Sequence, residues 1–261
     1  MTALRQIVFI CLLCIASFTS YAQYGLMAYE LPGSILRFEV GYVNSASTAE
    51  YSGRLRLYDN GNYLQDSMHS QTVGSTGYGI SFGTFMPITR LGKVSMLTLS
   101  FTGMYNQIKW QNIGEEFYQG TNLAISGKTR QLSLPIGFDF KFGCDATMNK
   151  NNRFCASIGT GFTPTYSFTE MEAHSVGVAT VHPFLRFEAG VLAGLAMKLR
   201  VTYSFLDVEY MKQFNTSTLD DNLAESFTLK GTPPVAISFI IMPFSWAWQR
   251  HGWWDTYHRH R

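Results

Sequence analysis

Eight charged residues stand out because each occupies a polar position in a run where apolar and polar residues alternate: Arg37, Glu39, Asp139, Lys141, Arg186, Glu188, Lys198 and Arg200. Five are bases and three are acids. In an extended chain successive side chains point to opposite faces, so all eight turn away from the apolar side. Where such faces enclose an interior, the charges must pair, because isolated buried ions are prohibitively costly. Two outcomes are open to them: a satisfied salt-bridge plug, or a narrow polar conduit.

Other groups carry weaker chemistry. His174 and His182, with Ser175 and Glu170 or Glu172, supply the residue types of a hydrolase. No spacing ties a nucleophile, a base and an orienting acid together, so no catalytic residue is expected and the chain is read as non-enzymatic. The stretch SWAWQRHGWWDTYHRHR (245–261) holds Trp246, Trp248, Trp253 and Trp254 together with His251, His258 and His260. His258 and His260, two apart, could chelate a metal ion in an extended segment. The favoured reading is interfacial, since Trp prefers the boundary of a membrane and Arg and His its anionic headgroups. Neither a metal nor a cofactor is therefore expected. The tail is expected to meet the membrane interface or a periplasmic protein partner.

The elements that must position these groups are strands. The clearest run is 131–142 (QLSLPIGFDFKF), where Leu132, Leu134, Ile136, Phe138, Phe140 and Phe142 share one face. Similar alternation occupies 36–42, 97–105 and 195–205, with weaker versions at 77–87, 154–166, 180–191 and 234–244. That makes eight strands, an even number, as bacterial single-chain barrels require. The gaps after odd-numbered strands are long and those after even-numbered strands short, which fits long outer loops and short periplasmic turns. In the first gap, Asp59-Asn60-Gly61-Asn62 reads as the turn of a hairpin rising above a membrane. The aromatic girdles are expected from Tyr42, Tyr105, Trp110, Tyr166 and Phe205 at the outer ends, and from Phe85, Phe142, Phe154 and Phe244 at the inner ends.

Composition and the chain's beginning agree. Arg5 is the only charge among the first 29 residues, and an apolar stretch follows it at 7–18 (IVFICLLCIASF). Ser20 and Ala22 complete a small-x-small site, so cleavage is expected between Ala22 and Gln23. Removing 22 of 261 residues leaves 239 and lowers the formal net charge from +2 to +1. No basic excess points to nucleic acid. Charged residues make up 15% of the chain and aromatics the same share, against about 25% charged in ordinary soluble domains. Mean hydropathy near zero excludes a helical membrane protein. Cys11 and Cys14 leave with the leader, whereas Cys144 and Cys155 stay in an oxidising compartment that allows a bridge. Register opposes that bridge: strand parity puts Cys144 on the lipid face and Cys155 on the inner face.

Taken together, the runs LSLPIGFDFKF (132–142), FCASIGTGFTPTYSF (154–168), KLRVTYSF (198–205) and VAISFIIMPF (235–244) resemble the small eight-stranded outer-membrane barrel family, which includes OmpA membrane domain-like and PorT-like barrels. The expected fold is all-β: an eight-stranded antiparallel up-and-down transmembrane β-barrel after a cleaved signal peptide. The expected organisation is a signal peptide at 1–22, a periplasmic segment at 23–33, the barrel at 34–244 and a periplasmic tail at 245–261. An eight-stranded barrel has room inside only for side chains, so the salt-bridge plug is favoured over the conduit. The expected function is a structural or binding scaffold in the bacterial outer membrane, in contact with its lipid. A lipid-modifying enzyme and a small-solute channel stand as alternatives.

Overall fold

The computed structural model describes residues 33–59, 62–112, 117–118, 121–122, 126–171, 174–217, 223–232 and 234–248. A short helix α1 (Gly33–Leu36) leads into β1 (Glu39–Asp59), β2 (Asn62–Arg90) and β3 (Ser95–Asn112). Strand β4 is made of two runs, Ser126–Ser133 and Ile136–Gly143, and is followed by helix α2 (Cys144–Thr147). Then come β5 (Phe154–Met171), β6 (His174–Ala193), β7 (Leu195–Ser204 and Val208–Ser217) and β8 (Leu223–Gly231 and Val235–Met242). A 3-10 turn (Ser245–Ala247) follows β8.

Each strand pairs antiparallel with the next, and β8 returns to pair with β1 through Val40↔Ile241 and Ala49↔Gly231, so the sheet closes into a ring of eight. Closure satisfies the backbone groups that an open sheet would leave bare, and bare groups cannot be tolerated in lipid. The break in β4 falls at Leu134-Pro135, where Pro135 has no N–H to give. Neighbouring strands bridge the break: Leu134 N–H donates to Pro164 O at 2.9 Å, and Pro135 O accepts from Thr102 N–H at 3.0 Å.

Alternation decides which face each residue takes. Phe138, Phe140, Phe142, Ile158, Phe187, Leu199 and Phe239 are exposed on the outside, while the polar residues between them are buried. This is the inverse of a soluble sandwich, whose apolar sides meet each other. An apolar, aromatic outer wall around a polar interior is a lipid-facing wall, and the fold is that of outer-membrane β-barrels.

The strands run on far beyond what a bilayer needs. Crossing takes about 9–11 residues per strand, yet β1 has 21 and β2 has 29. The expected long outer gaps are therefore largely strand. The segment expected as a first loop is a ladder that continues to Asp59↔Asn62, and the third ends at Met171↔His174. The expected hairpin is seen in the first ladder; residues 60–61, where its turn is expected, lie outside the described residues. These extensions escape an apolar alternation test because their apolar residues, such as Ile108, Trp110 and Leu229, turn inward rather than building an outward apolar face, although their backbones pair. The first strand also starts later than expected. Leu36 lies in α1 and packs inside the inner mouth, and Arg37 lies in the turn that follows.

The outer half of β7 leaves the wall. Its ladder with β6 ends at Phe184↔Ser204, and from Val208 it pairs only with β8, with register shifts around Tyr210. The Tyr210 carbonyl instead accepts a hydrogen bond from Thr169 Oγ1 at 2.8 Å.

Candidate functional site: a filled, ion-paired lumen

Seven of the eight expected interior charges converge in one buried cluster. Arg186 Nη2 donates to both Asp139 oxygens, at 2.6 and 2.8 Å, and to Ser100 Oγ. Arg200 bridges two acids, its Nη2 to Glu39 Oε2 and its Nε to Glu188 Oε1, each at 2.5 Å. Lys198 Nζ meets Glu39, Asp145 at 2.8 Å and Glu188 at 3.5 Å. Lys141 Nζ reaches Glu188 at 3.3 Å. Glu188 is the hub, since Arg186 Nε also approaches it at 3.8 Å.

Arg37 is the exception. It sits outside β1 at the inner mouth, with its guanidinium 5.9 Å from the centre of the Phe85 ring. The residue that sequence reasoning missed is Asp145. Gly143 takes φ +84, in the left-handed region that disfavours side chains, and this turns the chain inward at the end of β4. Helix α2 then folds into the mouth of the barrel, with Cys144, Asp145, Ala146 and Thr147 all buried. Its end is held by Met148 N–H donating to Cys144 O at 2.7 Å and Thr147 Oγ1 donating to Gly143 O at 3.0 Å. With Asp145 in and Arg37 out, the cluster holds four acids and four bases. The excess of bases was the signal that an acid was missing. Apolar Ala146 and Met148, in a short link between strands, were a second.

Apolar layers seal the cluster at both ends. Toward the inner mouth, Phe85, Met96, Met148, Met242 and Trp248 pack with both cysteines, and Leu36 and Leu192 join them. Lys141 Nζ lies 4.5 Å from the Phe85 ring centre, which joins this layer to the charges. Toward the outer mouth, Trp110 and Tyr210 meet edge to face with centroids 4.7 Å apart, among Ile108, Val208, Met211 and Leu229. Trp110 Nε1 donates to Thr129 Oγ1 at 2.7 Å, and Thr129 is in turn bonded to Thr169 at 2.8 Å.

Two expected girdle aromatics are thereby corrected. Trp110 and Phe85 are each 1% exposed and face inward, because strand parity puts them on the side of Ile108 and Gly83. Tyr42, Tyr105, Tyr166, Phe205, Phe142 and Phe154 are exposed on the outside. The tail divides at its start. Trp246 is exposed, but Trp248 belongs to the inner plug and its Nε1 donates to Leu36 O at 3.1 Å. Trp253, Trp254, His258 and His260 lie outside the described residues.

The cysteines also depart from expectation. Both are free thiols, and both are buried in the same inner layer. Cys144 does not continue the lipid-facing set, because the chain has already left the strand at Gly143. The register objection to their meeting therefore does not hold. Of the hydrolase-type residues, Glu170, His174 and Ser175 fall on neighbouring rungs and His182 stands apart from them. His182 faces the lumen, with Nε2 2.7 Å from Thr180 Oγ1, and its strand partner is Thr163. Glu170, opposite Ser175, lies seven rungs away, about 23 Å at 3.3 Å per residue. It pairs there with Lys128 at 2.8 Å and Arg130 at 3.3 Å.

No protein-family model matches the chain, and no curated protein matches it in sequence. Among solved structures it is similar to the outer membrane protein OprG from Pseudomonas aeruginosa, at 11% identity and a TM-score of 0.44, over 77% of this chain and 94% of that one. It is also similar to Ail, the attachment invasion locus protein of Yersinia pestis, at 11% identity and a TM-score of 0.30, over 75% and 98%. The transport unit of the autotransporter AIDA-I from Escherichia coli gives 8% identity and a TM-score of 0.38, over 87% and 95%. The class of the protein rests on its own ring closure, outward apolar wall and ion-paired interior, which together define an outer-membrane β-barrel.

Proposed function

We propose that this protein is a non-enzymatic scaffold of the bacterial outer membrane, which anchors in lipid by its lower wall and offers its long strand ends outside the membrane for contact. The observation that carries this reading is the filled interior: a neutral cluster of buried charges lies between two apolar plugs, with Trp110 and Tyr210 at one end and Trp248 at the other. An ion path through it would need all three layers to part. The strand extensions supply the contact surface. Beyond an 11-residue crossing, β1 and β2 continue for 10 and 18 residues, about 33 and 60 Å of strand at 3.3 Å per residue.

The test is purified protein refolded into planar bilayers, compared with a porin. Current at the level of bare lipid is expected, and protein-dependent conductance steps would move the reading to a channel. Lipid A from cells overexpressing the protein should keep its mass spectrum, and a change in acyl content would move it to a lipid-modifying enzyme. A periplasmic partner held by residues 249–261 is the second contact we propose. Removing those residues should abolish site-specific crosslinks to that partner while leaving barrel assembly intact.

A further inference from the structure

We propose that Cys144, Cys155 and Asp145 bind one divalent cation of the zinc class at the inner mouth of the barrel. The two thiol sulfurs and a carboxylate oxygen of Asp145 lie within 4.8 Å of one another, and all three residues are buried. A second observation points to the same ligand. Asp145 Oδ2 is engaged by Lys198 at 2.8 Å and Lys141 at 3.6 Å, whereas Oδ1 is buried without a hydrogen-bond partner. A buried carboxylate oxygen without a donor is costly, and a cation between it and the thiols would remove that cost.

The donor set selects the ion. Calcium and magnesium take all-oxygen ligands, whereas zinc accepts thiolates at about 2.3 Å and carboxylate oxygen at about 2.0–2.2 Å. Around a tetrahedral centre such ligands stand roughly 3.5–3.8 Å apart, so the trio needs to close by at most about 1 Å. Helix α2 carries Cys144 and Asp145 together on the turn at Gly143, and Cys155 is the ladder partner of Gly143.

Charge selects the valence. The four acids and four bases of the cluster already balance, so an added ion must bring its own compensation. One divalent cation replaces two thiol protons, which leave to water, and the interior stays neutral. A monovalent soft ion on the same two thiolates would leave a net negative charge buried. Lys198, held on the opposite carboxylate oxygen, orients Asp145 toward the site as partners of metal ligands do.

Full-length protein extracted from membranes in detergent, without reductant or chelator, tests this by metal analysis and thiol counting. We expect close to one zinc per chain, and two thiols that react on denaturation with chelator present. Cobalt(II) in place of zinc should show thiolate-to-cobalt charge transfer and tetrahedral d–d absorption. Cys144→Ser and Asp145→Asn should each weaken zinc retention roughly tenfold or more, with heat-modifiable gel migration confirming a folded barrel. Cys155→Ser serves where either variant does not fold. Substoichiometric zinc with two free thiols would overturn the proposal. So would a Cys144–Cys155 disulfide in the peptide mass map, or zinc retention unchanged in the variants.

Discussion

Replacing Glu188 by Gln keeps the size and shape of the side chain and removes one charge from the hub of the cluster. Four cations face that carboxylate: Arg200 at 2.5 Å, Lys141 at 3.3 Å, Lys198 at 3.5 Å and Arg186 at 3.8 Å. Four bases would then share three acids inside a sealed interior. Removing one member of a buried ion pair costs about 3–5 kcal/mol, because the partner charge stays buried without compensation. With a urea dependence of roughly 2 kcal/mol per molar, the unfolding midpoint should fall by about 1.5–2.5 M. The assay is tryptophan fluorescence of protein refolded into lipid vesicles and titrated with urea. Glu170→Gln is the control, since Glu170 pairs with Lys128 and Arg130 where solvent reaches all three. Its urea midpoint should stay close to that of the parent, because an exposed ion pair contributes little. Adding Arg200→Gln to Glu188→Gln should restore part of the loss by rebalancing the charges. A Glu188→Gln midpoint within experimental error of the parent would refute the reasoning that this interior is dry and electrostatically closed.

Other perturbations read other features. Gly143→Ala places a side chain at φ +84 and against the Phe154 carbonyl oxygen; it should cost more than about 1 kcal/mol in the same urea titration. Trp110→Ala removes the edge contact with Tyr210 and the bond to Thr129, a loss of about 3–5 kcal/mol by the same measurement. Its bilayer conductance should nevertheless stay at baseline, because the charge cluster below remains closed. Phe138→Arg, on the outward wall, should lower vesicle-folded stability by about 2–4 kcal/mol. Ser175→Arg, exposed beside Glu170 on the strand extension, should change it by less than about 0.5 kcal/mol. Equal costs at these two positions would contradict the position of the bilayer on the wall.

What was legible in the sequence follows from what each residue's neighbours encode. The ring of eight was readable because Phe138, Phe140 and Phe142 alternate with Gly137, Asp139 and Lys141, and that period survives any tertiary detail. The charge cluster was readable for the same reason. Phe85 and Trp110 were misassigned by residue type, although their parity with Gly83 and Ile108 placed them inward. Aromatic preference for the interface is a tendency, whereas parity is geometric. Asp145 was hidden because a turn has no period, and only the positive φ at Gly143 sends α2 into the lumen. The outer extensions were hidden because their apolar residues, such as Trp110 and Leu229, turn inward and leave no outward apolar face to alternate with, while backbone pairing needs none.

The bond from Trp248 to the Leu36 carbonyl joins the two sides of the barrel seam across 212 residues, and the seam between β1 and β8 joins Val40 to Ile241. Contacts so distant in sequence are the last to repay their loop-closure entropy. During biogenesis the first strand must therefore wait with one edge bare until the final strand arrives. Through that interval the bare edge is open to wrong pairing, so the yield of closed barrel depends on how quickly the seam is reached.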